Sequence, residues 1–82
     1  MGTETQQFSI ENEKSEAVKN AIRSIAAALR EKGYDPASQL VGYIMSGDPT
    51  YITSYKEART TIKKFERDEL VEEILNSYIQ SL

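Results

Sequence analysis

The 82-residue chain contains no cysteine, no histidine and no tryptophan. Without cysteine there is no disulfide framework, no thiolate nucleophile and no Cys-based zinc site. Without histidine the commonest acid/base group near neutral pH is missing, as is the imidazole metal ligand. A His-dependent triad and a zinc-hydrolase mechanism are both excluded, and the chain reads as a non-enzyme. Long apolar runs are missing too. The longest, Ile25–Leu29, falls far short of the ~20 residues of a membrane span. The opening segment Met1–Gln7 has no basic stretch followed by an apolar core, so it does not read as a secretory signal. Gln6 stands where a myristoylation pattern wants Ser or Thr. The expectation is a cytoplasmic protein without membrane attachment. At this length one small core fits, but a cleft between two lobes does not.

Proline is scarce at two residues, and both follow an aspartate, in Asp35-Pro36 and Asp48-Pro49. Aspartate is a good N-cap and proline suits the first helical position, where no amide bond is needed. Each pair therefore predicts a helix start. Upstream, Val18, Ile22, Ile25 and Leu29 step by three and four, which predicts a helix over about Ser15–Lys32. Ser15 or Asn12 is placed to cap it, and Gly33 to stop it in the left-handed conformation. A second helix carries Leu40, Val41, Ile44 and Met45 on one face and ends at Gly47. The glycines in general read as helix stops. A short helical turn follows, to about Ile52. Ser54-Tyr55-Lys56-Glu57 fits a capping box and predicts a new helix from Tyr55.

Beyond it, Ala58, Ile62 and Phe65 share one helical direction, whereas Leu70, Val71, Ile74, Leu75, Tyr78, Ile79 and Leu82 point elsewhere. Either the helix breaks near Glu66–Asp68, with Asp68 as the new cap, or it stays continuous and contacts two different surfaces; the break is the preferred reading. No segment alternates with period two. The expected fold is all-α: a compact bundle of about four to five short helices. Residues 14–82 form the single helical domain, and residues 1–13 form a flexible arm carrying Phe8 and Ile10. The last helix is apolar over a wide arc. Either it lies under the first two helices, or a homodimer covers it; the dimer is the preferred reading.

Net charge is −3, which argues against nucleic acid as a partner. The charge is nonetheless segregated. Lys56, Arg59, Lys63, Lys64 and Arg67 outnumber Glu57 and Glu66 between acidic flanks, a basic segment suited to an acidic or phosphorylated partner. The carboxylates Glu66, Asp68, Glu69, Glu72 and Glu73 lack the histidine that a di-metal helical site adds. They read as a solvated helix start matched to its dipole. No glycine-rich phosphate loop is present, so neither metal nor cofactor is expected. The tyrosines, including Tyr55 beside Lys56 and Arg59, suit packing seams more than base stacking. Thr3 and Thr5, with Ser9, are arm hydroxyls open to a kinase. A phosphate there adds about −1.5 to −2 charge.

The run from Lys32-Gly33-Tyr34-Asp35-Pro36 through Val41-Gly42-Tyr43-Ile44-Met45-Ser46-Gly47-Asp48-Pro49-Thr50-Tyr51, followed by Glu66-Arg67-Asp68-Glu69, resembles the IreB/ReoM family of small Firmicute regulators over about residues 5–80. The resemblance implies a helical homodimer without enzymatic activity. It implies a substrate of the serine/threonine kinase with extracellular PASTA repeats, and a restraint on peptidoglycan precursor synthesis. The implied route is adaptor-like: the unphosphorylated protein promotes Clp-protease turnover of the enolpyruvyl transferase, and phosphorylation relieves this. The family's arm threonine matches Thr5, three residues before Phe8, and Thr3 lies near a second site found in some members. Family arginines match Arg59 and Arg67 as partner-binding residues, with Lys63 replacing another. Thr53-Ser54 stands where the family usually has Pro-Arg, so one basic contact is absent. The alternative from a different class is a nucleic-acid- or ribosome-associated helical module using the basic segment and tyrosines. A third is a structural dimer without a switch.

Overall fold

The computed structural model describes the backbone of residues 2–82 and the side chains of residues 13–82. Helix α1 spans Gly2–Glu31, α2 Pro36–Ser46, α3 Ala58–Ile62 and α4 Arg67–Ser81, with single 3-10 turns at Pro49–Tyr51 and Tyr55–Glu57. There is no strand among the described residues, and the all-helical expectation is met.

α1 starts well ahead of the expected Ser15. No proline or glycine interrupts residues 3–32, so nothing in the sequence stops a helix there. Ser15 is accordingly not a cap. It is half-buried inside the helix, and its hydroxyl donates to Glu73 Oε1 at 2.6 Å. Asn12, Phe8 and Ile10 lie outside the residues whose side chains are described. At the other end Gly33 has φ +85°. The Gly33 amide donates to the Arg30 carbonyl and the Tyr34 amide to that of Leu29. This paired arrangement closes the helix on otherwise unsatisfied carbonyls.

α1 is the spine of the core. Val18, Ala21, Ile25, Ala28 and Leu29 are buried along one stripe, against Tyr43 of α2, Ile52, Ala58 and Ile62 around α3, and Leu70 of α4. Each large aliphatic buried in this way contributes about 1.5–3 kcal/mol relative to exposure. Ile22, assigned to the stripe from its spacing, sits at its half-buried edge. In α2 the apolar face differs from expectation. Tyr43 is buried and Leu40 and Ile44 pack beside the core, whereas Val41 and Met45 are exposed. Only a narrow strip of so short a helix reaches α1. Gly42 is mid-helix and is no stop: the Tyr51 ring lies over it, 2.4 Å from where a Cβ would stand.

Both Asp-Pro starts form as expected. Asp35 accepts from the Ser38 amide at 2.9 Å and caps α2. Asp48 accepts from the Thr50 amide at 2.9 Å. The Ser54/Glu57 capping box does not form: the Ser54 side chain makes no cap bond, and Lys56 (φ 51°) and Glu57 (φ 59°) are both left-handed. Non-glycine residues there cost about 1–2 kcal/mol each. The break before α4 is real, but its cap is Glu66, not Asp68. The Glu66 amide donates to Glu69 Oε1 at 2.8 Å, which ties the helix start to its first turn. Asp68 lies within the first turn and accepts from the Glu69 amide.

Candidate partner-binding surface

The basic segment has been bent by the fold around one connection. Arg59, on α3, donates from Nε to the Ile52 carbonyl at 2.8 Å. Arg67, the first residue of α4, donates from Nη1 to the Ile44 carbonyl at 3.0 Å. Ile44 lies in the last turn of α2, which holds no basic residue of its own, so Arg67 supplies the cation that a helix C-terminus favours. Its guanidinium covers Gly47, reaching within 3.0 Å of a Cβ built there. Arg67 thus holds the last turn of α2, and Arg59 the middle of the link from α2 to α3. Each keeps further N–H donors, because guanidinium has five in a planar fork. The bond already made orients the remainder. On the same link, the Asp48 carboxyl is held below the ordinary carboxylate range by the Thr50 hydroxyl and amide, and to a smaller degree by Arg59.

Lys63 is the C-cap of α3 and is exposed, one turn on from Arg59. It has no ion-pair partner among the described residues. The structure therefore brings Arg59 and Arg67 to one connection and leaves Lys63 beside them on the surface. The side chains of Thr3 and Thr5 lie outside the described residues.

The acidic start of α4 does more than face solvent. α4 runs alongside α1 in the same sense. Lys14 pairs with Glu69, and Glu73 takes the Ser15 hydroxyl and, at 3.8 Å, Lys19. Lys14 holds the Glu69 carboxyl low, and Glu69 in turn raises the Lys14 ammonium. No short-range pattern pointed to this seam, because its partners lie more than fifty residues apart in sequence. Among the described residues no cluster of three acidic groups is placed to hold a metal ion.

Past Glu73 the helix leaves the core. Ile74, Leu75, Tyr78, Ile79 and Leu82 are exposed. A shallow groove lined by Lys19, Ile22, Arg23, Glu73, Ile74 and Ser77 runs between α1 and α4 into this face. The tyrosines divide. Tyr43 is buried; the Lys32 and Lys56 ammonium groups sit over the Tyr55 ring, 5.0 and 5.4 Å from its centre; Tyr34, Tyr51 and Tyr78 are exposed. No helix among the described residues is long and apolar enough to cross a membrane.

The model of the IreB regulatory phosphoprotein family matches residues 3–80. A UPF0297 protein of Ruminiclostridium cellulolyticum is 53% identical over 78 residues, covering 95% of this chain and 89% of that protein. One from Acetivibrio thermocellus is 53% identical over 77 residues, covering 94% and 86%. Another, from Lachnoclostridium phytofermentans, is 51% identical over 77 residues, covering 94% and 88%. With the helical fold, the basic connection and a match over nearly its whole length, the chain belongs to the IreB family of small regulatory phosphoproteins.

Proposed function

We propose that the protein is a non-enzymatic, phospho-regulated restraint on peptidoglycan precursor synthesis in the cytoplasm. In this reading residues 1–13 are the acceptor arm of a PASTA-type serine/threonine kinase, modified at Thr5 with Thr3 as a second site. The unphosphorylated protein is an adaptor-like factor in Clp-protease turnover of the enolpyruvyl transferase. It works as a homodimer, joined through the exposed apolar face of α4. The observation that carries the reading is the match to a regulatory phosphoprotein family over residues 3–80, a span that includes both threonines and Arg59, Lys63 and Arg67.

The mechanism is electrostatic. Arg59 and Arg67, oriented by their carbonyl bonds, and the exposed Lys63 meet an acidic partner surface. A phosphate on Thr5 brings about −1.5 to −2 charge and competes for the same cations, because phosphate and guanidinium pair in a bidentate way. Mass spectrometry of the protein after incubation with a PASTA-type kinase is the direct test. Modification at Thr5, lost in Thr5→Ala, supports the reading. In cells, Thr5→Ala should hold the restraining form irrespective of the kinase. If Thr5→Ala and wild type respond identically to kinase loss and kinase excess, the switch is wrong.

A further inference from the structure

The segment Ser54–Ala58 carries a conflict between sequence and structure. Ser54-x-x-Glu57 is a helix-start signature in which the serine side chain accepts from the Glu57 amide and the glutamate reaches back to the Ser54 amide. Neither bond is present, and Lys56 and Glu57 occupy left-handed angles that non-glycine residues avoid. Two adjacent residues of this kind persist only where their surroundings hold them.

The restraints are visible. The Tyr55 hydroxyl donates to Glu31 Oε1 at 3.4 Å, and the Tyr55 amide to the Thr53 hydroxyl at 3.2 Å. Lys56 Nζ bonds Glu31 Oε2 and Oε1 at 3.1 and 3.3 Å. The Lys32 and Lys56 ammonium groups both sit over the Tyr55 ring. The Arg59 amide reaches back to the Thr53 carbonyl at 3.0 Å, and the Glu57 amide to that of Ser54 at 3.1 Å. Lys56 and Glu31 are both exposed, so the ion pair that closes the turn is open to water and competing charges.

We propose that Ser54–Ala58 is a two-state hinge: the observed turn, latched by Lys56 on Glu31, exchanges with a helical form in which α3 gains a turn at its N-terminus. In that form Lys56 and Glu57 take right-handed angles, Ser54 caps, and Glu57 closes the capping box. Lys56, Arg59 and Lys63 then follow one another at spacings of three and four. They fall within about 60° on the helix surface, where the observed turn ties Lys56 to α1. The hinge thereby assembles or disperses a cationic row. That this row serves the acidic partner rests on the adaptor reading above; the hinge itself rests on the backbone angles and the unused cap.

Nuclear magnetic resonance on the labelled full-length chain tests it. Ser54→Ala removes a cap made only in the helical form, and shifts the balance about fivefold towards the turn. Lys56→Gly moves it the same way by relieving the left-handed angle. Glu31→Gln weakens the latch and moves it oppositely. The Ala58 and Arg59 amide resonances should shift along one line, in opposite directions for the two classes of variant. Relaxation dispersion at residues 54–58 should be present in wild type and quenched in Lys56→Gly. Glu57→Gly replaces that variant if it does not fold. Flat dispersion in wild type, with Ser54→Ala and Glu31→Gln perturbing only their own neighbours, overturns the hinge. No kinase or partner enters this experiment, so its failure leaves the adaptor reading standing.

Discussion

Substituting Ile79 by serine should dissociate the proposed homodimer without unfolding the subunit. In the single chain Ile79 is 60% exposed, next to Leu75 at 51% and Leu82 at 85%. None of these side chains takes part in the buried core, so the helical circular dichroism should hold. Complete burial of an aliphatic side chain is worth about 1.5–3 kcal/mol. The share Ile79 still has to gain is therefore about 1–2 kcal/mol per subunit. A two-fold interface uses the same patch on both copies, so the loss counts twice, at about 2–4 kcal/mol. That converts to a Kd weaker by about 30- to 1,000-fold. Sedimentation velocity across a concentration series reads this directly. Wild type sedimenting as a monomer at tens of micromolar (on the order of ordinary assay concentrations) would refute the reasoning. So would Ile79→Ser associating as tightly as wild type. If Val41→Ser or Met45→Ser weakens the dimer instead, α2 carries the interface, because those two residues form a second exposed apolar strip among the described residues.

Three further outcomes follow from the packing. Gly42→Ala puts a methyl group 2.4 Å from the Tyr51 ring. The expected overpacking of about 1–3 kcal/mol exceeds the helix-propensity gain of about 1 kcal/mol, so urea unfolding should show a loss. In a Tyr51→Ala background the same change should stabilise, and a loss of equal size in both backgrounds would show that the ring does not cover Gly42. Arg67→Ala should cost about 1 kcal/mol through the bond to the Ile44 carbonyl, with Arg67→Lys recovering only part because the planar fork is gone; an unchanged denaturation midpoint would remove Arg67 from the fold and leave it wholly to a partner. Asp35 is held low by Ser38, Asp48 by Thr50 and Glu69 by Lys14. A carboxyl lowered in the folded state adds stability that is present above its unfolded pKa and is lost as pH falls through the folded one. Thermal scans should therefore be flat near neutrality and decline below about pH 4. Lys14 and Lys56 are raised by Glu69 and Glu31, so their contribution persists from neutrality upward and fades only above about pH 10. Stability that rises on acidification below pH 4 would contradict the three carboxylate assignments.

The proposed homodimer and the proposed hinge compete for no residues. The apolar face of α4 lies past Glu73, and the strained turn faces the far end of α1 at Glu31 and Lys32. Dimerisation and exchange of the hinge are thus separable by substitution: Ile79→Ser and Ser54→Ala should each leave the other property intact.

Local chemistry alone determined much of the fold. Asp35-Pro36 and Asp48-Pro49 start helical turns because a carboxylate beside free amides and a proline with no amide to lose suit no other place so well. Gly33 and Gly47 close helices because their left-handed angles (φ +85° and +75°) carry no side-chain penalty. The α1 stripe is legible because burial repeats with the turn of the helix. What tertiary structure decided is whatever depends on a neighbour distant in sequence. Ser54 and Glu57 spell a cap that the folded chain does not make, where Lys56 bonds Glu31 of α1 and Ala58 and Ile62 are buried. Gly42 looks like a stop until Tyr51 is seen lying on it. Arg59 and Arg67 look like free cations until the Ile52 and Ile44 carbonyls arrive beside them. A cap or a stop acts across one helical turn and is written in adjacent residues, whereas a carbonyl or a ring brought in by chain folding has no signature at the residue it meets.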